Sequence, residues 1–232
     1  MDAFRAIVLA TKPSLYWRLG EASGTKAVDL SGNGHDGTYK NGPTLGAGGG
    51  IYTSPDTAVQ FAAASGHRVD SAYNPFIVGT ARTFAGWALQ TKNATNLRMI
   101  GGNGTNAVYL RIEDANNKVD WRANTSVGAD VSWSAAWPAA GVWVFFAIVF
   151  DDPNDTAELF INGASWGKKT TTDTFGASPG NFQASQVSVP WNGSLDEIMV
   201  WERALSAGEI MGIAKAGIPG LGGLPYKHPY SI

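Results

Sequence analysis

The sequence predicts an all-β protein, a two-sheet antiparallel sandwich with a short helix near each end. From Phe84 onward, runs of β-branched and aromatic residues are separated by turn residues at the spacing of a sandwich. Val142–Phe150, VWVFFAIVF, is apolar at every position, the pattern of a central strand buried on both faces, or held against the core on one face and under a loop on the other. The 232 residues are 44% hydrophobic, 11% aromatic and only 16% charged, which supplies one large core rather than a disordered or coiled-coil chain.

The elements follow in order. Asp2 caps a helix running to Ala10, with Phe4, Ile7 and Val8 on one face and Pro13 as its stop. Residues 1–12 thus read as a helical arm, either a flap on the sandwich or a partner-facing segment. Tyr16, Trp17 and Leu19 are bulky β-formers that begin the first strand. Lys40–Pro55 reads as a loop region that includes the run Gly48–Gly50, and a strand resumes at Ala58–Phe61.

The later strands are expected at Phe84–Gln90, Val108–Glu113, Lys118–Ala123, Val142–Phe150, Ala157–Ile161, Gln186–Trp191 and Leu195–Trp201. Asn162-Gly163 places two residues that tolerate positive φ at a hairpin tip. Ser206 and Glu209 form a capping box that opens a helix over Ser206–Ala216, with Ile210 and Ile213 facing inward and Gly217 and Pro219 ending it. The remaining tail, 218–232, spaces Leu221, Leu224, Tyr226, Tyr230 and Ile232 with glycine and proline. It closes neither a helix nor a central strand, and is expected to lie along another chain and to promote an oligomer.

Composition narrows the function. A formal charge of −2 offers no broad attraction to phosphates, so nucleic acid is not an expected partner. With no cysteine, disulfides and thiolate metal sites are excluded. The opening MDAFRAIVLATKPS is too short and too polar in its apolar part for a signal peptide or a membrane span, so neither an obvious N-terminal export route nor membrane insertion is expected.

Catalysis finds little support. A retaining glycosidase needs two carboxylates about 5 Å apart. Asp196 and Glu197 are adjacent in a strand and are therefore expected on opposite faces. No H-E-x-x-H occurs. Asp29, Ser31, Asn33 and Gly34 repeat the first half of a calcium loop, but the twelfth position from Asp29 is Lys40, so the loop is no EF-hand. The same residues also suit Asx-type turns without metal. Among the nine tryptophans, Trp17, Trp87, Trp143 and Trp201 lie in strand patterns and are expected in the core. Trp133, Trp137 and Trp166 lie among turn-like, polar or small residues, where they either stack on a sugar or fold over the sandwich edge.

Three motifs, YWRLGEASGTKAVDLSGNGHDGTY at Tyr16–Tyr39, LFING at Leu159–Gly163 and GSLDEIMVWERALSAGEI at Gly193–Ile210, resemble the laminin G-like jelly rolls of the concanavalin A-like lectin and glucanase superfamily. The resemblance implies a jelly-roll domain over 13–217. It also implies a structural calcium ion between an early loop and a late strand, held by Asp29, Asn33, the His35 carbonyl and Asp196, with Glu197 turned away. The function it implies is non-enzymatic binding of a glycan or surface polymer. One setting is the surface of a virion, that of a tailed bacteriophage, where the domain serves as a tail or head accessory contacting other virion subunits through the N-terminal arm and the C-terminal tail. The alternatives are an extracellular bacterial carbohydrate-binding protein and, disfavoured, a glycoside hydrolase.

Overall fold

The computed structural model describes residues 2–52, 54–91, 97–105, 108–113, 118–123, 131–134, 137–176, 178–186 and 189–218. The chain opens with helix α1 (Ala3–Ala10) and continues through β1 (Leu15–Trp17), β2 (Lys26–Ala27), β3 (Gly37–Lys40), β4 (Thr44–Gly48), β5 (Thr57–Phe61) and β6 (Arg68–Ser71). Strands β7 (Ala81–Gln90), β8 (Leu97–Gly102), β9 (Tyr109–Glu113), β10 (Lys118–Arg122), β11 (Val131–Trp133) and β12 (Trp143–Asp151) follow. The chain then forms β13 (Thr156–Ile161), β14 (Ala164–Thr170), β15 (Phe182–Ala184), β16 (Gly193–Trp201) and helix α2 (Ala207–Gly217).

Two antiparallel sheets face each other. One has the order β14-β13-β12-β7-β16-β5-β4 with β1 also paired to β16, and the other the order β11-β10-β9-β8-β15-β6-β3-β2. The all-β sandwich expected from the sequence is present, with a helix at each end. Phe84, Val144, Phe146, Ile148, Phe150, Leu195 and Val200 from the first sheet meet Met99, Ile100, Leu110, Val119, Trp121 and Phe182 from the second in the inter-sheet core.

The first sheet is buried on its other face too. Phe145, Ala147 and Val149 of β12, with Trp87, Met199 and Trp201, lie under Phe4 and Val8 of α1 and Ile210 and Ile213 of α2. This second cluster explains why β12 is apolar at alternate positions of both parities: it is central, between β7 and β13, with one core on each face. The hairpin tip also forms as expected, with Asn162 at φ 50°, Gly163 at φ 81° and Ile161 paired with Ala164.

Four local expectations are corrected. Ile7 is 40% exposed, because α1 turns only Phe4 and Val8, one helical turn apart, onto the sheet. The strand expected at Gln186–Trp191 forms at Phe182–Ala184, where it inserts between β6 and β8. Lys40–Pro55 is not all loop, since Thr44–Gly48 forms the edge strand β4 on β5. Gly217 is the last residue of α2 rather than its stop, and Ile218 caps the helix, its N–H bonded to the Ala214 carbonyl. The tail from 219 onward, with its expected role in assembly, lies outside the described residues.

Candidate ligand-binding site

Strand β16 carries the two acids that the sequence singles out. The register of β16 against β7 shifts between Asp196 and Met199, and Glu197 at the bulge adopts φ 52°. Simple alternation therefore fails here, and the expectation of opposite faces is corrected: Leu195 and Ile198 both enter the inter-sheet core, and the two acids between them turn the other way, Glu197 against Tyr16 of the outer cluster and Asp196 against Gly50. Glu197 accepts hydrogen bonds from the Tyr16 hydroxyl and from Arg18 Nε at 3.0 Å. Arg18 also pairs with Asp56 at 2.6 Å and with Asp2 at 2.8 Å, tying the start of α1 and the segment before β5 to the end of the sheet.

Asp196 Oδ2 accepts from the Gly50 N–H at 2.8 Å, while its Oδ1 has no partner among the described residues. Both acids are fully buried. Loss of water raises the Glu197 carboxyl to about 7 against the pull of Arg18, and raises Asp196 well above the carboxylate range with the help of the Glu197 charge. Neither offers an exposed oxygen to a glycosidic bond. The cluster is a clamp, not an acid and base pair across a cleft.

The expected calcium ligands do not converge. All four acceptor positions of Asp29 are taken: Oδ1 receives the N–H groups of Tyr16 and Ser31, both at 2.9 Å, and Oδ2 receives the Ser31 hydroxyl and the His35 N–H, both at 2.8 Å. Asn33 donates its amide to the carbonyl of Ser14 at 3.0 Å, and the His35 carbonyl accepts from Trp17 Nε1 at 2.8 Å. Asp196 is engaged with Gly50 instead. Among the described residues no group of three or more His, Cys, Asp or Glu is placed to hold a metal ion. The loop is built as an Asx turn, and its residues do not fit the calcium site.

Two of the three loop tryptophans are covered rather than presented to a ligand. Trp133 and Trp137 are 2% and 4% exposed and belong to the inter-sheet core; Trp133 Nε1 donates to the Gly167 carbonyl at 2.8 Å. Trp166 is half-buried against the same core. Neither Trp133 nor Trp137 has a free face.

A different tryptophan is available. Trp143, expected in the core, sits at the start of β12, packs against the outer cluster and is half-buried. It lines a pocket of about 790 Å³ on the outer face of the first sheet, a volume in the range of small-molecule sites. Gly48, Gly49 and Gly50 form one wall, Tyr52 stands at the edge with 62% exposure, and Gln60, Asn162 and Ser194 bring polar groups. Gly217 and Ile218, at the end of α2, close another side.

Two of these glycines, Gly49 and Gly50, are packing requirements. A side chain at Gly49 would meet the Asp56 carbonyl oxygen at 2.5 Å, and one at Gly50 would meet the Trp143 ring and Trp87 Cβ at 3.0 Å. Asn162 Oδ1 accepts from the Phe145 N–H at 3.0 Å, which fixes the side chain and leaves its amide N–H groups without a partner among the described residues. The signal readable in the sequence was Gly48–Gly50 itself; nothing local marked Trp143, Gln60 or Asn162, which come together only through the order of the sheet.

A jelly-roll sandwich with a partly aromatic, partly polar pocket on one sheet defines a lectin-like binding domain. The chain belongs to the concanavalin A-like lectin/glucanases superfamily, whose laminin G model matches residues 56–211. No curated protein sequence matches the chain. Among solved structures it is similar to domain 4 of AbnA, a GH43 extracellular arabinanase from Geobacillus stearothermophilus, solved in complex with arabinotriose. The TM-score is 0.67 at 19% identity, over 88% of this chain and 98% of that one. The binding domain of botulinum neurotoxin DC in complex with SialylT is similar at TM-score 0.67 and 11% identity, over 91% of this chain and 53% of that chain. The binding domain of Paraclostridial Mosquitocidal Protein 1 is similar at TM-score 0.64 and 15% identity, over 90% and 53%. The chain thus spans about half the length of these toxin domains.

Proposed function

We propose that the protein is a non-catalytic glycan-binding module and that the pocket on the outer face of the first sheet is its binding site. The observation that carries this reading is the pairing of a half-buried Trp143 and an exposed Tyr52 with the Gln60 amide and the Asn162 amide N–H groups, which have no partner among the described residues, in one pocket. Pyranose and furanose rings present apolar C–H faces to aromatic rings and hydroxyls to amides, so this pairing is the chemistry that sugar recognition needs. The burial of Asp196 and Glu197 supports binding without hydrolysis. The arabinotriose and SialylT complexes of the structural neighbours are in keeping with a saccharide ligand.

The setting we propose is the surface of a virion, where such a module attaches a particle to a host polymer; an extracellular bacterial carbohydrate-binding protein is the alternative. Fractionation of the source separates the two, since protein found away from particles removes the virion reading. For the binding function, a glycan array is read with the wild type and with Trp143→Ala. Hits that vanish in the variant are expected. An empty array, or hits indifferent to the change, would overturn the assignment.

A further inference from the structure

We infer that the pocket selects uncharged saccharide chains and rejects those bearing carboxylate or sulfate groups. This rests on the glycan-binding reading and adds the charge class of the ligand. Three features carry it. First, no described residue lining the pocket is charged: its polar groups are all neutral, the Gln60 and Asn162 amides, the Ser194 and Tyr52 hydroxyls, the tryptophan indole N–H groups and the backbone of the glycine wall. An anionic sugar would give up water at its carboxylate and find no guanidinium or ammonium there in exchange.

Second, the helix end that opens on the pocket is the wrong one for an anion. Gly217 and Ile218 bring the C-terminus of α2, where the aligned peptide dipoles leave partial negative charge. An N-terminus in this place would have supplied free N–H groups. Third, the Gly49–Gly50 wall is backed by acids. Asp196 holds the Gly50 N–H from behind, and the adjoining cluster sets the single guanidinium of Arg18 against Asp2, Asp56 and Glu197. The clamp therefore carries no surplus positive charge toward the pocket. A neutral polyol loses nothing to any of these fields, and it gains the Trp143 face and the amides.

The test compares two ligands with the same backbone, an oligogalacturonate and its fully methyl-esterified form, with arabinotriose as a second neutral probe, by titration calorimetry on the full chain. The neutral probes are expected to bind, and the free acid to bind at least about tenfold more weakly. Gln60→Arg, at an exposed position, is expected to narrow or reverse that ratio by supplying the missing cation. Equal or tighter binding of the free acid, abolished by Trp143→Ala, would overturn the charge preference while leaving the glycan site standing. If no probe binds, or if Trp143→Ala changes nothing for any of them, the binding-site reading itself falls and this inference with it.

Discussion

The Gly50 N–H donates to Asp196 Oδ2 at 2.8 Å, joining a loop before β5 to the middle of the last strand. One oxygen of a fully buried carboxyl thereby fixes the wall of the pocket, and the bulge at Glu197 is what aims the neighbouring carboxyl into the Arg18 clamp. Asp196→Ala leaves a buried donor unpaired and should cost about 1–3 kcal/mol of stability. Asp196→Asn keeps an acceptor and should cost less. Chemical denaturation of both variants checks the order, and equal losses would remove the special role of the acceptor.

Glu197 gives a pH dependence whose sign can be worked out. Its ordinary value is 4.5 and its folded value is raised to about 7, so the folded protein holds this proton more tightly than the unfolded chain. The contribution is complete below about 4.5 and disappears as pH rises through about 7. Asp196, also raised, acts in the same direction. The melting temperature should therefore fall between acidic and neutral pH, and Glu197→Gln should flatten part of that slope. A melting temperature that climbs steadily over the same window in the wild type would contradict the burial argument.

Asp29 is filled by hydrogen bonds from its own loop and from β1. Asp29→Ala should therefore destabilise the protein by about 2 kcal/mol, through several N–H groups left without acceptors. Addition of calcium or of a chelator should leave the wild-type melting temperature unchanged. A rise with calcium that Asp29→Ala abolishes would show that the loop rearranges around an ion.

Gly49→Ala places a methyl against the Asp56 carbonyl oxygen, a backbone atom that cannot step aside alone. A loss of about 1–3 kcal/mol is expected from the forced shift, together with weaker glycan binding because the wall moves. Thermal melts and the array check the two effects separately; an unperturbed melt would mean that the wall has slack.

Much of the fold was legible because its signals are local. The runs that became β7, β12 and β16, the Asn162-Gly163 tip and the Ser206–Glu209 capping box each state their geometry within a few residues. The short strands β2, β3 and β15 did not show, because they are held by partners distant in sequence rather than by their own composition. The site was less legible for the same reason. Trp143 reads as core from its strand but is only half-buried against the outer cluster, where it lines the pocket, whereas Trp133 and Trp137 read as loop residues and are covered by the inter-sheet core. The adjacency of Asp196 and Glu197 misled because one positive φ cancels the alternation on which that inference depends.

The central claim is the location of the ligand, and NMR chemical-shift mapping with the neutral oligosaccharide that binds best tests it most directly. The account predicts perturbed amides at Gly48, Gly49 and Gly50, at Gln60 and Asn162, and at the Trp143 indole, with the Asp29–His35 loop silent. Perturbations confined to that loop, or to the surroundings of Trp166, with the pocket unchanged, would contradict it.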